Sequence, residues 1–317
     1  MTPCSRRRFL LPALSLPVLG ACASLPAPAR AVLETSQLRV SPQLQLRRLV
    51  VRNERAAGTV LLLHGFPETI LAWKGIAEDL GGAYEVHAFD WPGYGQSTRP
   101  PAQHFSYAPR EYARVLEAYI EAAGIDSARL TIYATDIGAL PALLLALEKP
   151  AIARRIIVGD FAPFDRPQYM HASLQSLKKR RGSEVTRSLM NRNRDEIVHN
   201  AYRRGLSEQQ QFDIPREFTQ DMLRGWDHPE MSSADGFFHY YSHFDEDQHY
   251  FESSLARLRT PVKVLWGERD FYIHPAMGVE FAVKAGLKLE ILRDIGHYPH
   301  LQSPAATVRE IRASFRG

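Results

Sequence analysis

The chain has 317 residues, 45% hydrophobic and 23% charged, an ordinary globular composition that excludes a wholly disordered protein and suffices for one large domain. Its formal charge of +4 includes Arg6, Arg7 and Arg8 in a segment expected to be removed. The remainder is close to neutral and lacks the basic footprint of a nucleic-acid binder. Cys4 and Cys22 are the two cysteines, so the body beyond them has no disulfide, cysteine-rich zinc site or cysteine nucleophile.

Residues 1–23 read as an export signal. Ser5-Arg6-Arg7-Arg8-Phe9-Leu10 precedes an apolar run over 11–23, broken by Pro12 and Pro17, which fits a twin-arginine signal and is too short for a membrane span. Within it, Leu19-Gly20-Ala21-Cys22 resembles the bacterial lipoprotein box, whose cysteine becomes the lipid-bearing first residue. Simple cleavage near 21–23 or 27–29 is the alternative. The expected location is therefore periplasmic, or membrane-anchored through a lipid on Cys22. Residues 24–42, rich in proline, alanine and serine, read as a tether, with order beginning near Gln43.

Leu44, Leu46, Leu49 and Val51 give strand-like runs, and Thr59–Leu63 is a continuous apolar strand of the kind buried on both faces. The turn His64-Gly65-Phe66-Pro67 ends it. Strands follow at 84–90, 130–134, 156–160, Val262–Gly267 and Lys288–Leu292. Helices are predicted over 109–123, 137–148, 275–285 and 304–315. Such alternation implies an α/β protein with a mostly parallel, doubly wound sheet, built from 43–163 and 258–317. The interruption at 164–257 is too long for a structureless loop and is read as a helical lid inserted after the sixth strand.

The strand at 130–134 runs straight into Thr135-Asp136-Ile137-Gly138 and a helix. So abrupt a reversal requires small residues two before and two after its apex; Ala134 and Gly138 supply them, and Asp136 stands between. No G-x-S-x-G occurs in the chain. An aspartate after a strand is also a common helix N-cap, so the flanking motifs must decide.

Those motifs are His64-Gly65-Phe66-Pro67, Asp90-Trp91-Pro92-Gly93-Tyr94-Gly95-Gln96-Ser97, Gly267-Glu268-Arg269-Asp270 and Gly296-His297-Tyr298-Pro299-His300. With the elbow they resemble, over roughly residues 44–315, the α/β-hydrolase superfamily. The closest likeness is to its aspartate-nucleophile branch: epoxide hydrolases, haloalkane dehalogenases and fluoroacetate dehalogenases. The order of nucleophile, acid and histidine is that of the superfamily. The resemblance implies that Asp136 attacks an sp³ carbon to form an alkyl ester, which water activated by His297 then hydrolyses. Asp270 would orient the imidazole, and the backbone N–H groups of Phe66 and Ile137 would hold the oxyanion. Asp160, ending the preceding strand, is the rival acid. His64 is expected to be structural, Asp90 to cap its turn, and His300 to bond nearby backbone.

Dehalogenases of this branch supply tryptophan or asparagine donors to the halide, yet Ile137 and Phe66 occupy those places. Fluoroacetate dehalogenases follow the nucleophile with arginine, which is absent here. Epoxide opening needs a proton donor for the alkoxide, which relatives take from lid tyrosines. Tyr241 matches one such position, and Tyr169 or Tyr202 is a candidate second. His239, His243 and His249 invite a metal reading, but without a carboxylate shell the sequence calls for neither metal nor cofactor. The expected partner is a small apolar substrate, opened as an epoxide or similar electrophile. A haloalkane dehalogenase-like activity is the alternative. A lipid-tethered ligand-binding relative without activity is a reading of another class.

Overall fold

Apolar runs that bury both faces build the centre of the sheet in this computed structural model, which describes Met1 and residues 32–179 and 182–316. Residues 2–23 of the export signal, Cys22 among them, and residues 24–31 of the expected tether lie outside the described residues. The strands are β1 (Leu33–Arg39), β2 (Gln45–Val51), β3 (Thr59–Leu63), β4 (Glu85–Phe89), β5 (Leu130–Thr135), β6 (Arg155–Gly159), β7 (Val262–Gly267) and β8 (Lys288–Leu292). They form one sheet in the order β1-β2-β4-β3-β5-β6-β7-β8. The pairs β1–β2 and β2–β4 are antiparallel and the remainder parallel.

β1 is a correction, since it falls inside the interval expected to be a tether. Its residues are mostly exposed, with only Leu33 and Leu38 half-buried, so it carries almost no hydrophobic signal. It is held as an edge strand by backbone pairing along the whole of β2, from Leu33↔Val51 to Arg39↔Gln45.

Between β3 and β6 the chain forms α1 (Lys74–Gly81), α2 (Pro109–Ala122) and α3 (Ala139–Glu148). All of α3 but its last residue is buried, as its unbroken run of leucine and alanine dictates. Between β6 and β7 the described residues form the helices α4 (Ala172–Lys178), α5 (Ser183–Arg192), α6 (Arg194–Asn200), α7 (Arg216–Trp226), α8 (Ser233–Ser242) and α9 (Phe244–Ser254). α10 (Pro275–Ala285), α11 (Pro299–Gln302) and α12 (Pro304–Ala313) complete the chain.

The helical insertion is fastened to the core by buried charge. Arg47 on β2 reaches Asp90 at 2.5 Å and Asp221 on α7 at 2.9 and 2.6 Å. Asp90 also accepts the N–H groups of Ile70 and Gln96, so it caps its turn as expected. Burial would push the Asp221 carboxyl up, but hydrogen bonds from Arg47, Thr69 and Arg224 hold it below the usual carboxylate range. A carboxyl depressed in this way stabilises the fold above its ordinary range, and the contribution disappears as pH falls through the folded-state value. Arg47→Met strands two buried carboxylates and is expected to cost about 3–5 kcal/mol, measured by urea unfolding near pH 7, with the deficit shrinking on acidification.

Candidate active site

Asp136 leaves the end of β5 at φ +49°, a left-handed conformation that costs a non-glycine residue about 1–3 kcal/mol. The neighbouring loop approaches so closely that a Cβ on Gly65 would lie 2.7 Å from the Asp136 Cβ, and one on Gly138 3.0 Å from the Leu63 Cβ. These contacts explain why glycine stands at Gly138 behind the turn and at Gly65 in the loop facing it. The Phe66 N–H donates to Asp136 Oδ1 at 2.7 Å, while Ile137 is the second residue of the turn that Asp136 opens, where N–H groups lack intrahelical acceptors.

The loop after β8 brings His297 Nε2 to 3.4 Å from Asp136 Oδ2. The other ring nitrogen, Nδ1, lies 2.9 Å from both oxygens of Asp270, at the turn after β7. Asp270 is itself fixed by the N–H groups of Tyr272 (2.8 Å) and Ile273 (3.0 Å). Asp160 instead spends Oδ1 on the N–H of Gly267 at 2.8 Å, so Asp270 is the carboxylate bonded to the imidazole. Burial would lower the His297 pKa, but Asp270 and Asp136 on its two sides outweigh that and raise it well above the usual range.

The predicted tyrosines are dispersed. Tyr241 is buried between Phe237 and Phe244, near enough to Asp136 for that charge, after burial, to push its phenol up. Tyr169 is not at the site; it stacks on His274 and its carbonyl accepts the His274 N–H. Tyr202 packs on Phe212 and borders a separate small void beside Pro67 and Glu68. Neither lines the cavity over Asp136.

Two other phenols do border the cavity over Asp136, which has a volume of about 410 Å³. They are Tyr272, two residues after Asp270, and Tyr298, within the histidine motif, rather than lid residues. Their hydroxyls donate to Ala201 O at 3.1 Å and Phe66 O at 2.9 Å. Burial pushes both phenols up. Leu174, Leu177, Met190 and Ile197 form an apolar wall, and Asn193, Glu196 and Arg204 a polar edge. The four tryptophans, Trp73, Trp91, Trp226 and Trp266, are buried elsewhere and none borders this cavity.

The remaining motif residues are structural. His64 is neutral, its pKa lowered by burial; Nδ1 donates to Gly65 O at 2.8 Å and Nε2 accepts the Trp91 N–H at 3.2 Å. His300 departs from expectation, bonding the Glu68 carboxylate at 2.6 Å rather than backbone. Glu68 in turn accepts the Gly65 N–H at 2.8 Å. The loop carrying the Phe66 donor is thereby tied to the loop carrying His297. Glu68 directly follows H-G-F-P, but nothing local shows that its partner lies more than two hundred residues away.

Residues 60–310 match the family described as alpha/beta hydrolase family, and the chain belongs to it as a hydrolase of that kind. It is 30% identical to mouse epoxide hydrolase 4 over 112 residues, which cover 35% of this chain and 30% of that protein. Over 285 residues, 86% of each protein, it is 21% identical to the (R)-3-hydroxydecanoyl-ACP:CoA transacylase of Pseudomonas aeruginosa. The crystal structure of a loop variant of the haloalkane dehalogenase DbeA from Bradyrhizobium elkanii superposes with a TM-score of 0.72 at 19% identity, covering 90% of this chain and 96% of that one. At that identity the likeness is one of fold.

Removing one of the flanking charges is expected to release His297. In Asp136→Asn the imidazolium should lose its proton about 1–3 pH units lower than in the unaltered protein, followed by NMR titration with His297→Gln to assign the signal.

Proposed function

We propose that the protein hydrolyses an epoxide or similarly strained electrophile through a covalent ester on Asp136. The observation that carries this reading is the split use of one carboxylate. Oδ1 is held by the Phe66 N–H and Oδ2 faces His297, which presents an anionic oxygen at the cavity floor while His297 waits behind it.

In the first half-reaction an Asp136 oxygen bonds to a ring carbon as the carbon–oxygen bond of the epoxide breaks. The resulting alkoxide takes a phenol proton. Tyr272 and Tyr298, on the cavity wall and kept protonated by burial, stand closer to this role than Tyr241. Ester formation removes the negative charge of Asp136, and with it one of the two carboxylates that raise the His297 pKa. The step therefore prepares its own general base. His297 passes its proton to the phenolate left by the first step; once neutral it takes a proton from water, and hydroxide attacks the Asp136 carbonyl carbon. The ester bond breaks as the leaving alkoxide takes up the carboxyl proton, releasing a diol and restoring the Asp136 carboxylate beside protonated His297. The oxyanion that forms meets the N–H groups of Phe66 and Ile137.

Haloalkane cleavage through the same ester is chemically available. The lack of any indole N–H at the cavity, together with Ile137 and Phe66 at the halide positions, supports epoxide opening over it. Acyl transfer to Asp136 would give a labile anhydride, a poorer use of a carboxylate. We also propose that the protein acts outside the cytoplasm, on the strength of the arginine-led apolar segment and the Leu19-Gly20-Ala21-Cys22 box.

Incubation of His297→Gln with an epoxide panel should trap the ester as a mass increase equal to the substrate, while Asp136→Ala shows neither adduct nor turnover. Under single turnover in oxygen-18 water the label should enter Asp136; an intact protein of unchanged mass across epoxides and haloalkanes sinks the reading. Cys22→Ala should move the exported protein from the membrane to the soluble fraction, and an unchanged distribution would rule out lipid at that residue.

A further inference from the structure

Asp160 is a fully buried carboxylate that the proposed mechanism leaves unused. It is held at φ +52°, so its backbone is strained to aim the side chain inward. Oδ1 accepts the Gly267 N–H, and Oδ2 is buried without a partner when the group is drawn as a carboxylate. An Asp160 oxygen, an Asp270 oxygen and a His297 ring nitrogen all lie within 4.8 Å of one another. On Asp270, Oδ1 takes the N–H groups of Tyr272 and Ile273 as well as His297, whereas Oδ2 has His297 alone. Asp270 thus has acceptor capacity to spare on Oδ2.

Two carboxylates this close in a dry site do not both ionise. We propose that Asp160 is a positioning residue held as a neutral carboxylic acid, its Oδ2 proton donated to Asp270. One proton then satisfies the orphaned Oδ2, removes repulsion between two buried anions, and gives the His297-bound carboxylate a further donor. Burial and the adjacent Asp270 do push the Asp160 carboxyl well above the usual range, with His297 and the Gly267 N–H opposing. Tyr133 on β5 lies near it, a phenol kept protonated chiefly by burial. With Asp160 neutral, the His297 cation has two anionic neighbours rather than three, so it gives up its proton more readily once Asp136 is esterified.

The inference rests on the roles proposed for His297 and Asp270, but its decisive reading is a titration that needs no substrate. Asp160→Asn preserves shape, an acceptor for Gly267 and a donor for Asp270, and it should leave the NMR titration of His297 and the acid limb of the pH–rate profile where they are. If Asp160 is ionised, the same change deletes a charge and His297 should titrate about 1–3 pH units lower, which overturns the proposal. Asp160→Leu, lacking both bonds, is expected to lower kcat roughly 10- to 100-fold through misorientation with KM little altered. Unaltered kcat there would refute a positioning role. Infrared difference spectra between the unaltered protein and Asp160→Asn supply a measure independent of refolding. A protonated carboxylic acid band at neutral pH, lost in the variant, supports the inference, and a carboxylate band in its place refutes it. Ester trapping can fail while these titrations hold, so the two readings fail separately.

Discussion

The His297 imidazole sits between Asp136 and Asp270 in a buried site, and holding three such groups together leaves little freedom to the loops that carry them. Each loop leaves the same edge of the sheet, after β5, β7 and β8. Each is tied to its neighbours by hydrogen bonds of about 3 Å that cross from one loop to another. The parallel centre of the sheet makes this possible because its strands end side by side, so that residues far apart in sequence become adjacent without long connections.

The electrostatics of this arrangement are directional. A histidine kept charged by two carboxylates is a poor base, and it becomes a good one when either carboxylate is neutralised. The esterification of Asp136 that we propose would be such an event, freeing His297 to act only after substrate has reacted. The same logic assigns the proton to Asp160 and not to Asp270, whose oxygens already accept from two backbone groups and the imidazole.

Much of this was legible in the sequence. The strands Thr59–Leu63, Val262–Gly267 and Lys288–Leu292 and the helix Pro275–Ala285 are read to the residue, because mainly apolar stretches set off by nearby glycine or proline have few alternative structures. Small residues around Asp136 marked the elbow for a steric reason that Gly138 bears out against Leu63. β1 was missed because an exposed edge strand is held by backbone bonds, which leave no mark on side-chain pattern. Glu68 with His300, and the placing of Tyr272 and Tyr298 at the cavity, were missed because each depends on contacts between distant loops. The lid tyrosines were the weakest reading: position in a helical insertion does not say which face of a helix turns toward the cavity.

The cavity has two kinds of wall. Its floor is made by Phe66, Asp136, Tyr272, His297 and Tyr298 from the core loops, and most of the remaining lining comes from α4, α5 and α6. The floor is packed so tightly that a methyl group at Gly65 has nowhere to go, whereas α5 and α6 are largely half-buried or exposed. Mutational drift should therefore be filtered unevenly: changes to the chemistry are removed as misfolded or inactive, while changes to the roof survive. A protein built this way can acquire a new diet without having to reinvent its reaction.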